Sequence, residues 1–439
     1  MTHQPNAPKN WYQSHIDGMR ALAVLAVIIN HLAHQFLPGG YLGVDVFFVI
    51  SGYVITKSLQ RNHTVQLKAF LLGFYARRVK RLLPALIVTV LVTLTLVRFV
   101  NPFPKVTTFT ALSSVLASSN LFLFATASDY FGENIRLNPL MHTWSLSVEE
   151  QFYFLFPIAY WGYYKRLQVK IRPLAIAIIT GLSLLAFVYY SQHDRTAAYY
   201  LTPFRVWEFL IGTVVAGSRP IREHLSARWI QTVSVGALGL SFFIGESAPA
   251  TATMLATMAT AGLLAADDET SIFYRVLNAP ALRYVGRISY SLYLWHWPII
   301  SLALWTVGVT AQTIPFICIL IFACSAFSYH LIERPLNTRQ WFSKNTRYIL
   351  CGFALMSVSS ALIMTEHHLN LPKFSGHKIS TSSTSGFTPD TPPLSITNRE
   401  IRNCMGEDIS DDQNKARRAL ELCSADKPEH DTHLIFFGD

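Results

Sequence analysis

Residues Ile16–His31 read IDGMRALAVLAVIINH, an apolar helix entering a membrane with a polar residue at each end of its buried part. Arg20 and His31 are eleven residues apart, close to three helical turns, so they share a face and lie about 16 Å apart along the axis. With Arg20 at one membrane surface, His31 is expected near the midplane of a hydrocarbon core roughly 30 Å thick. Both side chains cost free energy in lipid, so both are expected to face protein or a water-filled cavity. A cationic mouth leading to an imidazole suits an anionic donor brought to a general base. The plainer alternative has Arg20 snorkelling to the headgroups and His31 bonding a neighbouring carbonyl.

The remainder of the chain supports the membrane setting. Of 439 residues, 51% are hydrophobic and only 14% charged, with mean hydropathy +0.30. A soluble protein carries about a quarter charged residues. The apolar residues come in runs near 20 long separated by short basic segments, the pattern of an all-α polytopic membrane protein in a lipid bilayer. The net charge of +10 does not point to nucleic acid, because Lys and Arg flank the apolar runs. The polar first 15 residues lack a small-residue cleavage site, so the first helix is expected to be a signal anchor.

Apolar runs fall at about 18–36, 41–59, 82–100, 108–127, 146–163, 173–190, 199–217, 229–245, 250–266, 288–306, 313–331 and 347–365. The segment 60–81, ending in Arg77, Arg78, Lys80 and Arg81, is expected to be a cytoplasmic loop, and so is the N-terminus. Segments 164–172, 218–228, 267–287 and 333–347 carry the same sign. Two cytoplasmic loops must be separated by an even number of crossings, yet three runs lie between 60–81 and 164–172. The run 108–127, with Ser113, Ser114, Ser118, Ser119 and Asn120, is the most polar and is expected not to span. That leaves ten core transmembrane helices and an eleventh, 347–365, taking the tail outside.

Beyond residue 366 the composition changes. Residues 375–397 are rich in Ser, Thr, Pro and Gly and read as a linker. Residues 398–428 are charged, and His433–Asp439, HLIFFGD, read as a buried strand running into Gly-Asp. Cys318, Cys324 and Cys351 fall in apolar helices as packing residues. Cys404 and Cys423 are a candidate disulfide if the tail is extracytoplasmic.

Several polar clusters exceed what packing requires. Gly39, Gly40, Gly43 and Gly52 read as helix contacts, while Ser51 is a candidate polar lining. RRVKRLLP, Arg77–Pro84, places four cations within five residues before a helix, dense enough to hold phosphates. HTWSLSVEEQFY, His142–Tyr153, opens an apolar span with a histidine, two serines and adjacent carboxylates. Thr143 or Ser145 is a candidate cap there, and Glu149 and Glu150 point about 100° apart, so one at most is expected to share the cavity of His31. Trp144 and Ser147 in the same stretch, the i,i+3 pair Arg205 and Glu208, His296 between two indoles, and Glu333 before Pro335 complete the candidates. Arg205 and Glu208 have the plain alternative of neutralising each other. No P-loop, no glycine-rich dinucleotide turn, no HExxH and no CxxC occurs, so no metal or bound cofactor is expected.

Together, the Arg20 and His31 spacing, FFVISG, RRVKRLLP, HTWSLSVEEQFY, SYSLYLWHWP and YHLIERP, in this order, resemble the acyltransferase-3 family of bacterial membrane acyltransferases over about residues 11–336. The resemblance implies O-acetylation of a cell-surface glycan, with lipopolysaccharide O-antigen favoured over another surface polysaccharide or peptidoglycan. It implies acetyl-CoA as a cytoplasmic donor substrate rather than a resident cofactor. It also implies a multi-pass protein of the bacterial inner membrane with a cytoplasmic N-terminus and a periplasmic tail. The implied division is an acyltransferase-3 domain at 1–336, an additional helix at 337–366, a linker at 367–397 and a truncated start of an SGNH-like α/β domain at 398–439, without its nucleophilic serine. By resemblance, His31 becomes the acyl relay or base, Arg20, Arg77, Arg78 and Arg81 bind donor phosphates, and Glu149 and Glu150 act as acid/base or orienting groups. The topology above starts the Glu149 helix from the outer side, which would suit an acceptor-orienting role. The competing reading is a transporter or flippase of a glycan or lipid-linked precursor, with the buried charges lining its path.

Overall fold

A computed structural model of the chain describes residues 14–60, 66–100, 105–127, 137–166, 168–169, 171–218, 224–245, 247–266 and 270–368. All of them belong to the unit Met1–Gly376. The linker, the charged segment, the HLIFFGD strand and the Cys404–Cys423 pairing lie outside the described residues.

The described residues are mostly helical. Three long helices open the fold: α1 (Ser14–Leu32), α2 (Gly43–Gln60) and α3 (Leu67–Val97). Two short ones follow, α4 (Lys105–Val115) and α5 (Ser119–Ala127), then α6 (Thr143–Arg166) and α7 (Arg172–His193). Next come α8 (Arg195–Tyr200), α9 (Val206–Gly217), α10 (His224–Ile244) and α11 (Pro249–Ala265). The last group is α12 (Ile272–Leu277), α13 (Pro280–Arg287), α14 (Ser289–Trp305), α15 (Ile314–Ser328), a π turn Tyr329–Glu333, α16 (Arg334–Thr338) and α17 (Asn345–His368).

Among these, seven helical segments are long and apolar enough to cross a membrane: those at α1, α2, α3, α7, α10, α15 with its extension, and α17. Two shorter apolar helices, α9 and α11, stand beside them. The count of ten core crossings therefore depends on including α9, α11, α14 and α6, the last with Glu149, Glu150 and Gln151 in its first half. Large apolar side chains such as Ile178, Leu182, Phe316, Ile319, Leu350 and Phe353 point outward, as a lipid-facing surface requires.

Several boundaries differ from the sequence reading: the expected loop 267–287 carries α12 and α13, the expected loop 333–347 carries α16, and the run 199–217 is divided between α8 and α9. The segment 60–81 is not a loop up to the basic cluster, because α3 starts at Leu67 and carries Arg77–Arg81 within it. Phe70 and Phe74, one turn apart and both buried, give this half of α3 an apolar face, so helix continues beyond the apolar run. Pro84 lies inside the same helix and removes one backbone donor without ending it.

The run 108–127 is not one helix. It breaks between α4 and α5 at Leu116–Ser118, where Ala117 adopts φ 54°, a left-handed conformation costing about 1–2 kcal/mol outside glycine. The 11 residues of α4 rise only about 16 Å, too little to span. The polar residues here fasten the break to α6. Ser114 Oγ meets Thr143 Oγ1 at 2.7 Å, Ser119 Oγ meets Ser147 Oγ at 2.7 Å, and Gln151 Nε2 donates to Ala117 O and to Asn120 Oδ1, each at 2.9 Å. Thr143 Oγ1 also donates to Leu140 O, and Ser145 Oγ bonds Tyr293 OH. Both candidate caps thus spend their hydroxyls on neighbouring groups rather than on first-turn amides.

Close helix approach positions the site. Gly52 of α2 faces the backbone of Phe209, and Gly212 of α9 faces the backbone of Val49; a Cβ at either would meet a carbonyl oxygen. Gly18 and Gly286 do the same for α1 and α13, against Leu277 and Asp17. Small residues permit such contact, the packing role expected of Gly43 and Gly52. Helices α3 and α17 run parallel: Lys80 stands over the Tyr348 ring, and Arg98 pairs with Glu366 at 2.6 Å. Cys318 and Cys324 are half-buried, whereas Cys351 is exposed on the outer face of α17.

Candidate active site

A cavity of about 900 Å³ opens among α1, α2, α3, α6, α13, α14 and the π turn. Six cations line it: Arg20, Lys57, Arg78, Arg81, Arg283 and Arg287. Three carboxylates, Asp17, Glu149 and Glu333, line it too, leaving an excess of three positive charges. The helix period explains which members of the basic cluster arrive. Arg78 and Arg81 are three residues apart on α3 and face inward, while Arg77 is exposed on the other side, outside the cavity lining. Lys80 likewise turns away, to Tyr348.

Glu149 is the inward carboxylate of its pair, and Glu150 is not part of the lining. One Glu149 oxygen accepts from both Ser51 Oγ and the Tyr153 hydroxyl. Arg78 lies 4.4 Å over the Tyr153 ring, so cation, phenol and carboxylate form one unit. Arg20 lines the same cavity as Asp17, Glu149, Glu333 and Arg81. Glu149 sits about two turns into its helix and lines the same cavity as the cations. Glu333 accepts from Ser291 Oγ at 3.0 Å and lies 3.9 Å from Arg81 Nε, too far for a hydrogen bond. The π turn presents both Tyr329 and Glu333 to the cavity, a use typical of such distortions.

Tyr293 lines the cavity beside Ser145 and Phe47. Its hydroxyl bonds Ser145 Oγ at 2.7 Å and donates to His142 O at 3.2 Å, while its ring packs on Phe47. The same ring touches His142 and His296, with centroids 5.6 and 5.1 Å away. His31 joins them, its Nδ1 3.3 Å from His296 Nε2 and its ring 4.6 Å from Trp297. Three imidazoles therefore gather behind Tyr293, outside the cavity lining. His142 is buried with neither ring nitrogen hydrogen-bonded.

Helix α1 ends at Leu32, one residue beyond His31, so the imidazole is in its last turn and Arg20 is in its second turn. Asn30 Nδ2 donates to Leu37 O and Pro38 O and closes the chain immediately after this turn. The face assignment holds: Arg20 shares the cavity lining with Ser289 and Tyr290 of α14, and His31 meets His296 of α14.

The remaining candidates lie elsewhere. Arg205 pairs with Asp45 and with Glu208, 3.1 Å from its Nε, and all three are buried. Its guanidinium lies over Phe48, Trp144 and Phe187, so Trp144 belongs to this cluster. Ser147 serves the α5–α6 contact. Sequence reasoning missed Lys57, Tyr153, Arg283, Arg287 and Tyr293 as lining residues. The signal for the arginines was RYVGR, Arg283–Arg287, an i,i+4 pair on one helix face.

A family of proteins described by its acyltransferase domain matches residues 14–333. This chain belongs to the acyltransferase-3 family. OatA O-acetyltransferases of Staphylococcus aureus strains NCTC 8325 / PS 47 and COL are each 33% identical over 350 residues, covering 75% of this chain and 58% of theirs. The protein SAS0844 of strain MSSA476 is 34% identical over 351 residues, 74% of this chain and 57% of its own. The chain thus spans less than two-thirds of the length of these relatives. No solved structure matches it. The acyltransferase match ends at Glu333 and so takes in the imidazole cluster and every lining residue except Asn337. The family gives the transporter reading no support.

Proposed function

We propose that this acyltransferase moves an acetyl group from acetyl-CoA, bound from the cytoplasmic side, to a hydroxyl of a cell-surface glycan, with lipopolysaccharide O-antigen as the favoured acceptor class. The observation that carries this reading is the cationic cavity lined by Tyr293, with the imidazole cluster packed against the same tyrosine. A volume of about 900 Å³ is at the upper end of the ~300–1,000 Å³ usual for small-molecule sites, in keeping with an elongated donor. Arginine forks suit its phosphates. Arg20, Arg78 and Arg81, joined by Arg283 and Arg287, bind the donor in this account. The orientation follows from charge: the lined ends of α1 and α14 adjoin the N-terminal segment and α13 with Arg283 and Arg287, and such basic flanks favour the cytoplasm. The protein then sits in the bacterial inner membrane with ten core crossings, and α17 leads to a periplasmic SGNH-like start.

In this reading the thioester end reaches past Tyr293 to His31. His31 takes the proton of the acceptor hydroxyl, the oxygen bonds to the acyl carbon, the C–S bond breaks, and the thiolate recovers the proton. Glu149, tied to Ser51 and Tyr153, orients the donor end rather than the glycan. Inside-out vesicles carrying the chain, supplied with acetyl-labelled acetyl-CoA and lipopolysaccharide-bearing lumen, test the reading. Acid-stable, base-labile label on the glycan is expected. Label entering the lumen without becoming covalent would be transport and would defeat it, and label on peptidoglycan alone would replace the acceptor.

A further inference from the structure

His296 is a buried side chain that the transfer step above does not use. Its Nδ1 lies 2.7 Å from the carbonyl oxygen of Tyr293 in the preceding turn of α14. A carbonyl only accepts, so Nδ1 of His296 carries a proton; the ring is fully buried with no carboxylate among its contacts, which favours the neutral form, and Nε2 is then left with a bare lone pair. That lone pair faces His31 Nδ1 at 3.3 Å. The two rings are within 5° of parallel with centroids 5.4 Å apart. This spacing is what the nitrogen–nitrogen distance plus the two ring radii would give, so the rings meet edge to edge, in the plane of the lone pair. The only proton arrangement that makes this contact attractive has His31 protonated on Nδ1. His31 Nε2 is then bare.

We infer that His296 is the positioning residue for His31: the Tyr293 carbonyl fixes the tautomer of His296, and His296 fixes the tautomer of His31, presenting Nε2 as the basic atom. The catalytic half of this inference rests on the proposed acetyl transfer; the tautomer half does not. During transfer, Nε2 accepts the hydroxyl proton and returns it to the leaving thiolate, while Nδ1–H stays bonded to His296 and supports the transient imidazolium. Trp297, against the His31 ring, limits its rotation. The arrangement resembles in logic the acceptor that orients a catalytic histidine in hydrolases, here with a backbone carbonyl and a second imidazole instead of a carboxylate.

The test uses the full chain in lipid with ¹⁵N-labelled histidine. The His31 resonances are identified by their loss in His31→Gln. The expected result is a protonated Nδ1 and a bare Nε2 in the unsubstituted protein. His296→Gln, which offers a carbonyl oxygen near the place of Nε2, keeps that pattern. His296→Leu gives a mixture of tautomers, with coenzyme A binding retained as the check on folding. In the transfer assay, His296→Leu lowers kcat about 10²-fold or more at nearly unchanged KM, and His296→Gln recovers much of the loss. A protonated Nε2 in the unsubstituted protein overturns the inference, as does a His296→Leu spectrum and kcat equal to those of the parent. Absence of acetyl transfer by the unsubstituted protein would count against the function, whereas the spectra decide the tautomer independently.

Discussion

Arg81→Gln removes one of six cations from the cavity while leaving its shape nearly intact. Arg81 is placed to bind an anion because its pairing with Glu333 is long, 3.9 Å, and leaves guanidinium donors available. A hydrogen bond to a charged group is worth about 1.5–3 kcal/mol, which is about 10- to 150-fold in affinity. The loss also frees Glu333 to repel the ligand, so the upper part of that range is expected. Arg81→Lys retains a point charge without the fork and falls between. The matched control is Arg77→Gln, one turn away on the same helix but exposed outside the lining, where a change within about twofold is expected. Equilibrium binding of labelled coenzyme A to detergent-solubilised protein reads these differences, and the salt dependence should be shallower in Arg81→Gln. Equal weakening by Arg77→Gln and Arg81→Gln would mean that the cluster acts only through its overall charge, and the inward-facing argument would be wrong.

Other consequences concern the scaffold. Gly52→Ala would put a methyl group against the Phe209 carbonyl and is expected to cost at least 1–3 kcal/mol. Gly236→Ala in α10, with open space around it, is expected to be neutral or stabilising by up to about 1 kcal/mol; equal thermal shifts would contradict the packing account. Arg205→Met leaves Asp45 and Glu208 buried without their cation, costing about 3–5 kcal/mol, and adding Asp45→Asn with Glu208→Gln should restore part of it in an unfolding assay. Unchanged stability of the single variant would show that water reaches the cluster. Gln151→Leu removes the bonds to Ala117, Asn120 and Thr202, so the α4–α5 break should become more sensitive to proteolysis, with a stability loss of about 2–4 kcal/mol. Equal cleavage of parent and variant would refute that role.

The membrane character and most of the long helices were legible because long apolar runs leave few choices in lipid, whereas the short helices α8, α12, α13 and α16 were not. The 108–127 run was readable as exceptional from its serines, since polar hydroxyls in a span need partners, and α6 supplies them. The start of α3 was not readable, because hydropathy ends where Arg77–Arg81 begins although Phe70 and Phe74 carry helix packing further. The cavity was half legible. Arg20, Arg78, Arg81, Glu149 and Glu333 came from dense or misplaced charge and Ser51 from a hydroxyl in an apolar run, but helical phase was needed to separate Arg78 from Arg77. Arg283 and Arg287 were hidden in what read as an ordinary basic loop, and the close approach of Gly286 in α13 to the Asp17 backbone in α1 brings them in. The meeting of His31 with His142 and His296 depends on tertiary contacts between residues more than 100 positions apart, which no local pattern records.

The most direct test of the central claim separates donor binding from transfer. In sealed vesicles given labelled acetyl-CoA on the cytoplasmic face, His31→Ala should bind the donor within about twofold of the parent and transfer no acetyl group to glycan. Transfer by His31→Ala at the parental rate, or loss of donor binding in proportion to lost transfer, would contradict the assignment of binding to the cationic cavity and of chemistry to the imidazole behind it.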